Sequence, residues 1–242
     1  MNEHSDLTPP EISGSDHVHA TGRALLSAIP FAGGAAVEIF NAVLIPSIEQ
    51  RKKQWMESVG SAIEQLQKAD ANIVETLQQN ESFQSVLLHA TWAAVRNHQR
   101  EKLTALQNVI LNAAQASKVS EDLQLLFVRY VDELTPTHLL VANFLVKHEK
   151  DVAHLETYEK LFAAFSETTN QQIDSSFFKL VCDDLKARGL VRISEELADF
   201  PGLYDVDAII SEDTSTHPRL AVTHLGRAFV DFVLTSPLKA LE

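Results

Sequence analysis

From Ile48 onward, apolar residues recur at the three- and four-residue spacing of amphipathic helices. Ile48, Trp55, Val59, Ile63 and Leu66 fall along one stripe, and the pattern carries on through Ile73, Val74 and Leu77 to Asn80. There the polar run QQNES predicts a bend. Phe83, Val86, Leu87, Ala90 and Ala94 form the next stripe. Leu88, Trp92 and Val95 add a second apolar face to the same helix, which predicts a central position in a bundle. Further helices are expected over 103–116, with Leu106, Val109, Ile110 and Ala113 inward, and over 121–134, with Leu123, Leu126, Phe127, Tyr130 and Val131 inward and Ser120 as N-cap. At about 2 kcal/mol for each well-buried Leu, Ile or Phe, these stripes support a bundle of four or five helices.

The stretch before this bundle behaves differently. Residues 24–48 are the least polar part of the chain, and Pro30, Gly33 and Gly34 interrupt them. Two short helices with a break between them are expected, the second holding Val37, Ile39, Phe40, Val43 and Leu44 and ending at Pro46. The first 22 residues lack apolar periodicity and are expected to be a disordered leader. That leader is not basic and no clear cleavage signature follows it, which argues against a secretory signal.

After Leu134 the rhythm changes. Thr135-Pro136 opens a helix as N-cap and first-turn proline, with Leu139, Leu140, Phe144 and Leu145 inside it. A second helix is expected at 155–165, and a third from Asp174 or Ser175 to Arg188, ended by Gly189. Leu190 to Ile193 alternates as a strand, a long polar loop follows, Leu220 to Val222 returns, and Thr223 caps a last helix holding Leu225, Phe229, Phe232 and Val233. The expected fold is therefore mainly α: a leader over 1–22, a helical bundle with an apolar Gly-containing hairpin over 23–134, and an α+β segment with a small β-hairpin over 135–242.

Charge and cysteine content narrow the function. Residues 135–242 carry ten basic against seventeen acidic residues, and the whole chain has a net charge of −13. Nucleic-acid affinity rests on Lys and Arg neutralising phosphates, so acidity points towards protein partners. The single cysteine, Cys182, excludes an intramolecular disulfide and fits a cytoplasmic protein. Between Val181, Asp183 and Asp184, its thiol is expected to stay protonated in a core position.

Three helices, the third ending DDLKARGLVRI, then a hairpin and a closing T-x-x-G-x-x-F segment resemble the winged helix-turn-helix family over residues 135–235. The resemblance implies a third helix that enters a DNA major groove and a wing that touches the backbone. It assigns binding roles to Lys179, Lys186 and Arg188, with Ser175 and Ser176 alongside, but also places Asp183 and Asp184 on that helix. The wing, Arg192 to Arg219, holds two basic residues against seven acids, a charge that phosphate would repel. In the first half, SAIPFAGGAAVEIFN followed by SIEQRKKQWMESV resembles segments of uncharacterised bacterial proteins, some of them abortive-infection proteins, which implies a place in phage defence.

Motifs for chemistry are sparse. Pro30 to Gly34 lacks the G-x-x-x-x-G-K-[ST] arrangement of a nucleotide loop and has no lysine nearby. Neither His17 with His19 nor His148 with His154 has the spacing of a helical metal site, and His89 is expected in the core beside Trp92. Asp183 and Asp184 are adjacent and so splay around their helix. No catalytic residue, cofactor or metal ligand is assigned. The reading is a non-enzymatic interaction or regulatory protein with a winged helix used for protein contact, its partner another protein or its own copy. A DNA-binding regulator is one rival. The other is a membrane-active abortive-infection effector that uses residues 24–48, in which Gly33, Gly34, Val37 and Phe40 would face lipid or pack tightly.

Overall fold

The computed structural model of the chain describes residues 34–115, 119–155, 157–193 and 220–240. The expected leader, the first apolar helix with Pro30 and Gly33, and the wing loop lie outside them. Among the described residues the protein is mostly helical, with one small antiparallel sheet. Two compact units emerge, Met1–Ser47 and Ile48–Glu242.

The first helix, α1, runs over Gly34–Ala69 as a single 36-residue element with Pro46 inside it. This corrects the expected stop at Pro46. A proline within a helix removes one backbone donor and crowds the carbonyl four residues earlier. Here the helix continues past it, and the Ser47 hydroxyl donates to the Val43 carbonyl at 3.3 Å. Further along, Trp55, Val59, Ala62 and Leu66 are buried as their spacing requires. The Trp55 indole N–H donates to Thr91 Oγ1 at 3.1 Å, and Gln107 Nε2 donates to the Ser58 carbonyl at 3.2 Å.

The pattern expected to run unbroken to Asn80 stops at Asp70, whose carboxylate accepts the Asn72 N–H at 3.0 Å. A short α2, Ile73–Gln78, follows, and Asn80 then caps α3, Glu81–Arg96, by accepting the Phe83 N–H at 3.0 Å. Next come α4, Arg100–Ala114, and α5, Glu121–Glu133. These three helices pack against one another around Val86, Ala90, Leu106, Val109, Ile110 and Phe127.

The rest of the chain supplies α6 (Pro136–Lys147), α7 (Glu149–Val152), α8 (Tyr158–Thr169), α9 (Ser175–Ala187), β1 (Val191–Ile193), β2 (Leu220–Val222), α10 (His224–Leu234) and a 3-10 turn (Pro237–Ala240). The helix expected at 155–165 thus begins and ends later, where Thr157 accepts the Lys160 N–H and Asn170 adopts a left-handed conformation. Strands β1 and β2 pair with Val191 opposite Val222 and Ile193 opposite Leu220, all four buried.

Helix α10 packs on α4, α5 and α6. The Phe127 ring of α5 meets Phe229 edge-on at 5.4 Å and Phe232 at 5.9 Å. Two asparagines of α4 reach the end of α10: Asn108 donates to the Val233 carbonyl, and Asn112 to those of Phe232 and Thr235. The last carbonyls of a helix have no partner within it, so these amides supply the missing donors. The core is therefore continuous from Trp55 to Val233.

Candidate functional site

The residues that the winged-helix resemblance singles out lie on and just after α9. Asp174 caps this helix, accepting the Ser176 and Phe177 N–H groups at 2.9 and 3.1 Å. Those bonds hold its carboxyl below the ordinary carboxylate range. Phe178, Val181, Cys182 and Leu185 face the core. The opposite face presents Ser176, Lys179, Leu180, Asp183 and Lys186.

Two of the three predicted binding residues are engaged within the protein. Lys179 lies 3.7 Å from Asp183 on the next turn, and its ammonium sits 5.1 Å from the centre of the Tyr158 ring. Arg188 donates to Glu133 at 2.8 Å and stacks over Tyr130, whose hydroxyl donates to the Arg188 carbonyl at 3.4 Å. Lys186 is exposed and has no ion partner among the described residues. The adjacent aspartates splay as expected: Asp183 accepts the Tyr158 hydroxyl at 2.8 Å, and Asp184 lies 3.2 Å from His138 Nε2. Burial, helped by Asp183, pushes the Cys182 thiol up to about 12, so it is protonated at neutral pH. Gly34, Val37 and Phe40, the other predicted site residues, belong to α1 or its first turn, and Gly33 lies outside the described residues.

His138 joins α6 to α9. It is buried, with Nδ1 accepting the Thr135 N–H at 3.3 Å and Nε2 directed to Asp184. Burial lowers its pKa, an effect that Asp184 opposes only in part. The unfolded chain therefore takes up the proton first, and stability falls as pH drops below about 6.5 until the lower folded value is reached. Thermal melts at pH 7.5 and 5.5 should show a drop in midpoint that His138→Gln reduces; equal drops in both proteins would contradict this assignment.

A second surface was hidden in the apolar pattern. Leu88 and Trp92, expected in the core, are 57% and 52% exposed, one turn apart on α3. His89, expected beside them in the core, is exposed as well. Trp92 of that face lines a cleft of about 560 Å3 between α3 and α5, with Leu88 one turn before it. Trp92, Leu125, Leu126 and the pairs Arg96, Arg129 and Asp122, Asp132 line it.

Asp132 organises one end of this cleft. Its carboxylate takes the Arg96 guanidinium on one oxygen and the Asn97 amide, at 3.1 Å, on the other. Its main-chain carbonyl accepts Lys102 Nζ at 2.7 Å. Lys102 is buried, and desolvation lowers its pKa against the pull of Asp132. These bonds tie the end of α3, the start of α4 and the end of α5 together at one end of the cleft. Among the described residues no group of three or more His, Cys, Asp or Glu side chains converges as a metal site would. Comparison with protein-family models, with curated proteins and with solved structures gives no match.

Proposed function

We propose that the protein is a non-enzymatic interaction module that pairs with a second copy of itself through the cleft between α3 and α5. The observation that carries this reading is the exposed Leu88–Trp92 pair beside a cleft that holds both signs of charge. Tryptophan is the side chain most often found at the energetic centre of a protein interface. A net charge of −13 makes most of the surface repel its own copy, whereas two arginines and two aspartates in the cleft balance. Arg96 is paired with Asp132 and Arg129 with Glu133 within the chain, so the balanced charges spare the cleft this repulsion rather than supply cross-pairs.

Residues 135–242 are read as a winged helix within this module. The order α6, α8, α9, β1, β2, α10 supports that reading, as does the end of α9, where Gly189 takes φ +72°. Its use in protein contact rather than in DNA binding follows from the partners of Lys179 and Arg188 and from the acidic wing sequence. A role in phage defence belongs to the same proposal and rests on the resemblance of the first half. A fluorescently labelled duplex titrated with the protein at about 50 mM salt should keep its anisotropy unchanged. Saturable binding that weakens steeply as salt rises would instead make the protein a DNA binder.

A further inference from the structure

We infer that pairing through the α3–α5 cleft is governed by pH, with His89 taking up a proton as two copies meet. The inference rests on the cleft being the contact surface. Its two helices run the same way. The end of α3 meets the end of α5, where Arg96 pairs with Asp132, and the start of α4 meets that same end, where Lys102 donates to the Asp132 carbonyl. Arg96 and Asp132 are 36 positions apart in sequence. In parallel helices that offset puts His89 roughly level with Leu125, with Asp122 about one turn before it. His89 and Asp122 both line the cleft, at the end away from the Arg96 and Asp132 pair.

The charged groups that line the cleft with His89 are Arg96 on its own helix and Asp122, Arg129 and Asp132 on α5. Arg96 is taken by Asp132, and Arg129 lies 3.6 Å from Glu133. The side chains of His89 and Asp122 have no ion pair or hydrogen bond among the described residues. Both are exposed in the single chain. His89 sits one turn before Trp92 on the same side of α3, so a partner that covers the indole also covers the imidazole. Pairing then withdraws from water, in each copy, a carboxylate without a cation of its own, which is unfavourable. Histidine changes charge between about pH 5 and 8. An imidazolium at position 89 offsets the Asp122 charge, whereas a neutral ring does not. The paired state therefore holds the His89 proton more tightly than the single chain does, so pairing tightens as pH falls and loosens as it rises.

Sedimentation velocity of the full-length protein at about pH 8 and about pH 6 tests the inference, with circular dichroism expected to be the same at both. The wild-type dissociation constant should fall about tenfold at the lower pH, the effect of one unit in proton affinity. His89→Gln should lose this response. The other histidines remain in that variant, so a general loss of negative charge would leave the response in place. Asp122→Asn should pair more tightly than wild type at the higher pH, because the uncompensated carboxylate is gone, and should change little between the two. A wild type that dimerises equally at both pH values, or a His89→Gln variant that keeps the tenfold response, would overturn the inference and leave the cleft as the contact surface. If His89→Gln pairs at neither pH, Asp122→Asn decides, and a response as large as that of wild type overturns the inference. A wild type that is monomeric at both pH values would remove the cleft reading and this inference together.

Discussion

Gly226→Ala is expected to destabilise the protein by about 3 kcal/mol, at the upper end of the cost of overpacking. A methyl group at this position would come 2.0 Å from the Leu190 carbonyl oxygen and 2.9 Å from its carbon, both backbone atoms. The close approach has a specific cause. Thr223 caps α10 by accepting the Gly226 N–H at 2.9 Å, and the same hydroxyl donates to the Gly189 carbonyl at 2.7 Å. The Thr223 N–H meets the Leu190 carbonyl at 3.2 Å. One threonine thus clamps the start of α10 onto the turn between α9 and β1, and no side chain fits between them at Gly226. Gly60 gives the contrast: it is exposed within α1, and an added Cβ would meet nothing within 4 Å. Gly60→Ala should raise stability by up to about 1 kcal/mol through helix propensity. Urea unfolding of both variants checks the pair, and a Gly226→Ala midpoint equal to that of wild type would refute the clamp.

The second large effect concerns association. Trp92→Asp is expected to weaken self-pairing by about 2 kcal/mol or more, roughly 30-fold in dissociation constant. The ring is half exposed in the single chain, so losing it removes little from the folded core. In a pair it would be desolvated against the partner, beside the apolar parts of Leu125 and Leu126. An aspartate there adds a carboxylate to the cleft and tips its balance towards the repulsion that governs the rest of the surface. Thermal stability should remain close to that of wild type, which separates loss of pairing from loss of fold.

Elements marked by a local chemical signal were legible in the sequence. Ser120 stands at the N-cap position of α5 without a side-chain bond to it, while Asn80, Thr135-Pro136, Asp174, Gly189 and Thr223 each punctuate the chain where a helix starts or stops. Their side chains or backbone freedom act within a few residues, so a sequence window contains the whole cause. Pro46 shows the limit of that logic, because whether a helix bends or ends at proline depends on packing on either side of it.

The cleft was not legible for a different reason. Leu88 and Trp92 follow the same periodicity whether a helix is buried on two sides or keeps one face for a partner, so spacing alone assigned them to the core. Asn108 and Asn112 read as ordinary polar positions on α4, yet they bind the end of α10 more than a hundred residues away. Lys179 and Arg188 were visible as cations, but their neighbours Tyr158, Glu133 and Tyr130 come from other helices. Charge counts along the chain do not show which cations are already engaged within the fold.

Sedimentation velocity over a concentration series, wild type beside Trp92→Asp, is the most direct test of the module proposed here. Wild type should shift from monomer to dimer mass with rising concentration, and Trp92→Asp should remain monomeric where wild type is mostly dimer. A wild-type protein that stays monomeric throughout, or a Trp92→Asp variant that pairs as tightly as wild type, would contradict the assignment of the α3–α5 cleft as its contact surface.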